Sequence, residues 1–258
     1  GFIHLQHVLT PEEVAACNRA IDESEQDMLP LQELLEHPVL QTYVSALCGD
    51  GFSLDQPPSM IAGGDTNGSL AFSAGDPENN RRLRYVCRGD VRVCNGLRIV
   101  VALAPSTPED GLVLVPASHK RAVPPPPNFL SGANDFGMIE QPVLEAGDVL
   151  LCAATTLSAV RGRPRRLLEM RYISSRVMPA DGFPEVEAPD WTANLTREQM
   201  AVVGRRTTGR GGKVVSDRQR TWVADEVERP ASVTFNLDEH SLPDPDELWF
   251  WDIRGYLV

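Results

Sequence analysis

The sequence predicts an α+β fold, mainly β: a barrel or jelly roll with helices flanking it on the N-terminal side. Three observations carry that prediction. A strong helix-start signature lies near the N-terminus. From about Phe52 the texture changes to short apolar runs separated by Gly, Pro and Asp. Helices first and strands afterwards favour an α+β barrel or jelly roll over alternating βαβ units.

The helix signature is Leu9-Thr10-Pro11-Glu12-Glu13. Thr10 suits the N-cap, Pro11 the first helical position, and Glu13 completes a capping box. Val14, Cys17, Ala20 and Ile21 then recur at helical spacing. Two shorter helices are expected at about Leu31–Glu36 and Val39–Leu47. Pro38 separates them, because proline disfavours helical backbone in the residue before it.

Leu97–Leu103 (LRIVVAL) is the clearest buried strand. Pro105–Gly111 reads as a turn and Leu112–Val115 as the next strand. Asp148–Cys152 and Leu167–Ile173 are two more, and Pro124–Pro127 is expected to be a stiff extended loop. Beyond Arg176 the pattern becomes irregular, with one modest helix within Trp191–Val203 that Thr196 could cap. Arg205–Gly212 (RRTTGRGG) is rich in Gly and Arg, and Pro230–Glu247 reads as an extended linker.

Composition narrows the function. The 258 residues carry a formal net charge of -12 and a pI of about 4.9. A surface of that sign repels phosphate backbones, so no nucleic-acid partner is expected. No run of about 18 apolar residues occurs, so no membrane span is expected. The cysteines Cys17, Cys48, Cys87, Cys94 and Cys152 are odd in number and form no CxxC pair. That argues against a disulfide framework and for a reducing, cytoplasmic setting.

Several segments together resemble the phytanoyl-CoA dioxygenase family. They are Asn95–Leu103, then Asp110–Lys120 (DGLVLVPASHK), then Glu145–Leu151 with its Gly-Asp-Val, then Arg165–Tyr172 (RRLLEMRY). The opening Gly1–Val14 (GFIHLQHVLTPEEV) is similar to the family's first segment. The resemblance covers roughly residues 1–200 and implies a double-stranded β-helix, a cupin-like barrel. It also implies an oxidoreductase using Fe(II) and 2-oxoglutarate on a small organic substrate or acid. The lysines are only Lys120 and Lys213, a bias of the kind a GC-rich bacterial genome gives. Trp249–Val258 (WFWDIRGYLV) looks like the family's opening again. The expected organisation is therefore a barrel domain over 1–204, an irregular linker over 205–246, and the start of a second, similar domain over 247–258.

The resemblance also says where metal ligands should lie, and there the residues depart from it. The family holds iron with a His-x-Asp pair and a distal His, a facial triad with open positions. The histidines here are His4, His7, His37, His119 and His240, and none has an acid two residues later. The stretch 61–90, where the pair is expected, contains no histidine. Ser158 stands in the slot expected for the distal His. Cys87 and Asp90 are candidate substitute ligands, with Asp65 and Asp76 in the same stretch; a plain turn is the simpler reading of Cys87–Asp90. Cys94 reads as a buried apolar residue, and His119 as part of a structural loop element.

The arginines follow the family better. Arg165, and next Arg166, match the position that grips the far carboxylate of 2-oxoglutarate, a task suited to a planar guanidinium fork. Neighbours on a strand point to opposite faces, so only one of the two can point inward. A solvated basic strand edge is the competing reading. Two functions follow from these residues: an Fe(II)- and 2-oxoglutarate-dependent oxygenase with unusual or borrowed ligands, or a non-catalytic barrel paired with an active second copy.

Overall fold

The computed structural model describes residues 1–22, 29–49, 52–63, 70–73, 83–88, 91–121, 125–133, 137–163, 166–174, 177 and 195–203. The expected linker and second-domain start lie outside the described residues. Within them the chain is mostly antiparallel sheet with a few helices.

Strand β1 (Phe2–Leu5) leads into helix α1 (Pro11–Asp22). The capping box forms as the sequence predicts: Glu13 N donates to Thr10 Oγ1 at 3.2 Å and Thr10 N to Glu13 Oε2 at 2.7 Å. Helix α2 (Leu29–Glu33) runs into a 3₁₀ turn at Leu34–Glu36, and α3 (Pro38–Cys48) begins at the proline that divides them. Next come β2 (Ser53–Met60), the hairpin β3 (Tyr85–Arg88) and β4 (Val91–Cys94), then β5 (Gly96–Ala102) and β6 (Gly111–Leu114). A short helix α4 (Pro127–Leu130) precedes β7 (Val149–Ala153), β8 (Ser158–Arg161) and β9 (Leu167–Ile173). Helix α5 (Arg197–Val203) follows. Thr196 caps it, accepting from Gln199 N at 3.1 Å.

Two details differ from expectation. Pro127 starts a helical turn instead of extending the proline run, because the first helical position needs no N–H and suits proline's fixed φ. Strands β1, β2 and β8 also emerge where the apolar pattern is weak. Strand β2 contains Pro57 and Pro58 and lies at a sheet edge, where a missing N–H is tolerated.

The main sheet has the order β1-β7-β5-β9-β2, every pairing antiparallel. Strands β6 and β8 form a second, two-stranded sheet. Period-two alternation assigns the faces. Leu97, Ile99 and Val101 of β5, Val149 and Leu151 of β7, and Leu168, Met170 and Tyr172 of β9 share one core with Val14, Cys17, Leu35, Leu40 and Val44 of the helical segment. Val100, Ala102, Leu150, Cys152 and Leu167 point the other way and pack with Leu112 and Leu114 of β6. The outer face of the small sheet, Val113 and Ala159, is covered by Phe72 and Phe129. Helices, main sheet and small sheet are thus stacked in layers. Strand β5 is covered on both faces, which is why LRIVVAL reads as an unbroken buried run rather than an alternating one.

Candidate functional site

The space between the sheets is apolar at one side and charged at the other. The register lines up Phe2, Cys152, Arg98, Arg171 and Gln56 across β1, β7, β5, β9 and β2. The neighbouring row runs His4, Leu150, Val100, Glu169 and Ser59. Polarity rises towards the β9–β2 edge.

Arg98, Glu169, Arg171 and Ser158 meet there. Arg98 Nη2 donates to Glu169 Oε2 at 2.8 Å, and Arg98 Nη1 donates to Ser158 Oγ at 2.7 Å. Arg171 Nε donates to the other carboxylate oxygen, Glu169 Oε1. The side chains of Arg98 and Glu169 are 11% and 8% exposed, whereas that of Arg171 is 30% exposed. Arg98 Nε is buried with no hydrogen-bond partner among the described residues. Burial alone would push the Glu169 carboxyl up, but the two guanidinium groups outweigh it and hold the carboxyl below its usual range. Cys152, beside Arg98 in the register, is pushed up to about 11 by burial. Its thiol is therefore protonated and is neither a nucleophile nor a ready ligand.

Ser158 reaches this cluster from the small sheet. It pairs with Leu114 of β6 on one side and bridges to Ser73 on the other, with Ser158 N donating to Ser73 O at 2.9 Å. That double pairing fixes its backbone, and its hydroxyl crosses the gap to Arg98.

The other predicted residues fall elsewhere. Arg166 has a positive φ of 52° and reaches α1, bonding Asn18 and Asp22. Arg165, Asp90, Asp65 and Asp76 lie outside the described residues. The backbone of Cys87 belongs to β3 and pairs with Arg92. Cys94 is buried, and its Sγ lies 3.2 Å from Gly96 O as a hydrogen-bond donor. Among the described residues no group of three His, Cys, Asp or Glu side chains could share a metal ion.

The motifs behind the resemblance have structural roles. Ser118 of the PASHK element accepts from Leu157 N at 2.7 Å, and Arg121 Nη1 donates to Ser118 O and Thr155 O. These bonds tie the end of β6 to the start of β8. His119 is buried, with its ring edge-on to Tyr85 at 5.1 Å. Asp148 of the Gly-Asp-Val element is also buried. It accepts from His7 N at 2.9 Å, Glu145 N at 3.0 Å and His4 Nε2 at 2.8 Å. Burial pushes its carboxyl up, but these bonds prevail and hold it below the usual range.

Sequence reasoning on motifs passed over Arg98 and Glu169. A signal for them existed: Arg98 sits inside the apolar run LRIVVAL, and Glu169 and Arg171 sit inside LLEMRYI. Charged residues are rarely buried unpaired, so two such strands imply a partnership across the sheet.

No family model matches the chain, and no curated relative does. Solved structures do share its fold. The structure of HygX from Streptomyces hygroscopicus with nickel and 2-oxoglutarate bound aligns with a TM-score of 0.55 at 17% identity, covering 72% of this chain and 92% of that one. The non-heme alpha ketoglutarate dependent carbocyclase SnoK from nogalamycin biosynthesis aligns with a TM-score of 0.52 at 16% identity, covering 72% and 90%. The epimerase SnoN from the same biosynthesis gives 0.50 at 16% identity, covering 73% and 86%. The chain therefore has the fold of these non-heme, 2-oxoglutarate-dependent enzymes, and at such identity the likeness is one of fold alone.

Proposed function

We propose that this chain is a phytanoyl-CoA dioxygenase-like barrel, a double-stranded β-helix built from its two facing sheets, that binds a small organic molecule without using iron. The observation that carries the reading is the bond from the Arg98 guanidinium to Ser158. Ser158 stands in the slot that the family gives to its distal metal-binding histidine. A serine hydroxyl is a poor Fe(II) ligand beside imidazole. A guanidinium 2.7 Å from that hydroxyl puts a fixed positive charge where a divalent cation would have to sit. The sequence adds that no histidine occurs in 61–90 to supply the His-x-Asp pair. These residues do not fit an iron centre. The domain would act beside an active copy, for which Trp249–Val258 is the candidate start, in the cytoplasm.

A second reading is favoured by the fold neighbours, whose structures hold iron or nickel and 2-oxoglutarate. In it the chain is an Fe(II)- and 2-oxoglutarate-dependent oxygenase with ligands from Cys87, Asp90 or another domain. Arg165 or Arg166 would then grip the cosubstrate carboxylate.

One experiment separates the two. The anaerobic protein is mixed with Fe(II) and 2-oxoglutarate and scanned for the visible charge-transfer band of the bound chelate. The iron-free reading expects no band above buffer. A stoichiometric band overturns it and favours the oxygenase reading.

A further inference from the structure

We infer that the Arg98–Glu169–Arg171 cluster is a metal-independent binding site for a single carboxylate group, and that its ligand is a small organic monocarboxylate. The inference rests on the iron-free reading and names the chemistry of the ligand that the barrel takes.

Two guanidinium groups and one carboxylate leave the cluster one positive charge in excess. Arg98 and Arg171 stand directly opposite each other in the β5–β9 register. Like charges so placed destabilise a sheet unless an anion lies between them. Glu169 is that anion, but it is shared, giving one oxygen to each arginine. The next residues along the two rows on β2, Gln56 and Ser59, are uncharged.

The donors come next. Arg98 Nε is buried and has no partner among the described residues, a state that costs free energy until an acceptor arrives. Arg171 uses its Nε on Glu169, and among the described residues its two terminal nitrogens have no hydrogen-bond partner. They form one side of a planar fork, the geometry that meets a carboxylate with two parallel bonds. The Arg171 side chain is 30% exposed against 11% for Arg98, so the fork is the end of the cluster that solvent and ligand reach.

Charge also sets the ligand class. One carboxylate neutralises the cluster. A second on the same molecule would need another cation, and the one other basic side chain in these rows, His4, is already bonded to Asp148. A monocarboxylate therefore fits better than a dicarboxylate. The site differs from the position that the family resemblance assigns to Arg165 or Arg166.

The test uses propionate as probe, with propionamide as its neutral isostere and succinate as the dianion, at constant ionic strength and with EDTA present. Binding is followed by calorimetry. Propionate is expected to bind at one equivalent, more tightly than succinate, while propionamide does not bind. Arg171→Gln is expected to weaken propionate by about tenfold or more, the loss typical of a charge-assisted pair. Glu169→Gln removes the competing carboxylate and is expected to tighten propionate severalfold, a direction that a purely structural role for Glu169 would not give. Binding that is absent, that propionamide matches, that succinate exceeds, or that both variants leave unchanged overturns the inference. The iron titration is independent of it: a chelate band sinks the iron-free reading whatever propionate does, and a failure of propionate alone leaves that reading standing.

Discussion

Glu169 holds two arginines with one carboxylate, and that makes it the residue on which the inter-sheet charges depend. Its removal leaves the Arg98 guanidinium nine-tenths buried beside only the Ser158 hydroxyl. Breaking a buried pair from one side typically costs about 3–5 kcal/mol. Glu169→Ala is therefore expected to lower the urea midpoint by an amount corresponding to about that loss. Replacing both Arg98 and Glu169 by methionine removes the uncompensated charge as well, so the double variant is expected to recover most of the stability. A double variant no more stable than Glu169→Ala would mean that the pair is not the origin of the loss.

At the scale of elements, the turn before β7 joins the helical segment to the sheet. Gly147 has a φ of +95°, and a Cβ there would lie 2.5 Å from Leu9 O. Leu9 N in turn donates to Gly147 O at 3.0 Å, and the adjacent Asp148 collects the His4, His7 and Glu145 donors. The Gly-Asp-Val signature thus fixes β1 and the start of α1 against β7. Gly147→Ala combines backbone strain with a collision against a carbonyl, and is expected to destabilise by on the order of 2–3 kcal/mol. Thermal melting checks this; an unchanged melting temperature would show that the turn is not a fixed joint. Helices α1, α3 and α5 were legible in the sequence because their signals are local, whereas α4 was expected to be an extended loop. Thr10–Glu13 and Thr196–Gln199 are capping pairs within one turn, and both form. Strands β1, β2 and β8 were harder to see, because their residues become strands only by pairing with β7, β9 and β6.

At the level of the whole molecule, two carboxylates among the described residues, both depressed, contribute to the response to acid. Asp148 and Glu169 both lie below their ordinary values of 3.8 and 4.5 when folded. A group with a lowered folded pKa binds protons more readily in the unfolded chain. Its stabilisation is complete above the unfolded value and is lost as pH falls through the folded one. Stability is therefore expected to hold from neutrality to about pH 5 and to decline steeply below about pH 4, followed by urea midpoints across that range. Asp148→Asn combined with Glu169→Gln is expected to flatten the decline. A double variant with the same acid slope would place the linkage in other carboxylates.

The starts of α1 and α5, the buried strands β5, β6, β7 and β9 and the absence of a His-x-Asp pair are legible in residue type at short spacing. Ser158 was expected in the slot where the resemblance puts a distal histidine. What surrounds that serine depends on tertiary pairing. Arg98 and Glu169 are 71 residues apart and Arg98 and Ser158 are 60 apart, so no local pattern links them. Antiparallel pairing of β5 with β9, and the small sheet lying across them, bring a guanidinium to the serine and a carboxylate to the guanidinium. Burial then gives the pairing its weight, since a charge left alone between the two sheets costs about 3–5 kcal/mol.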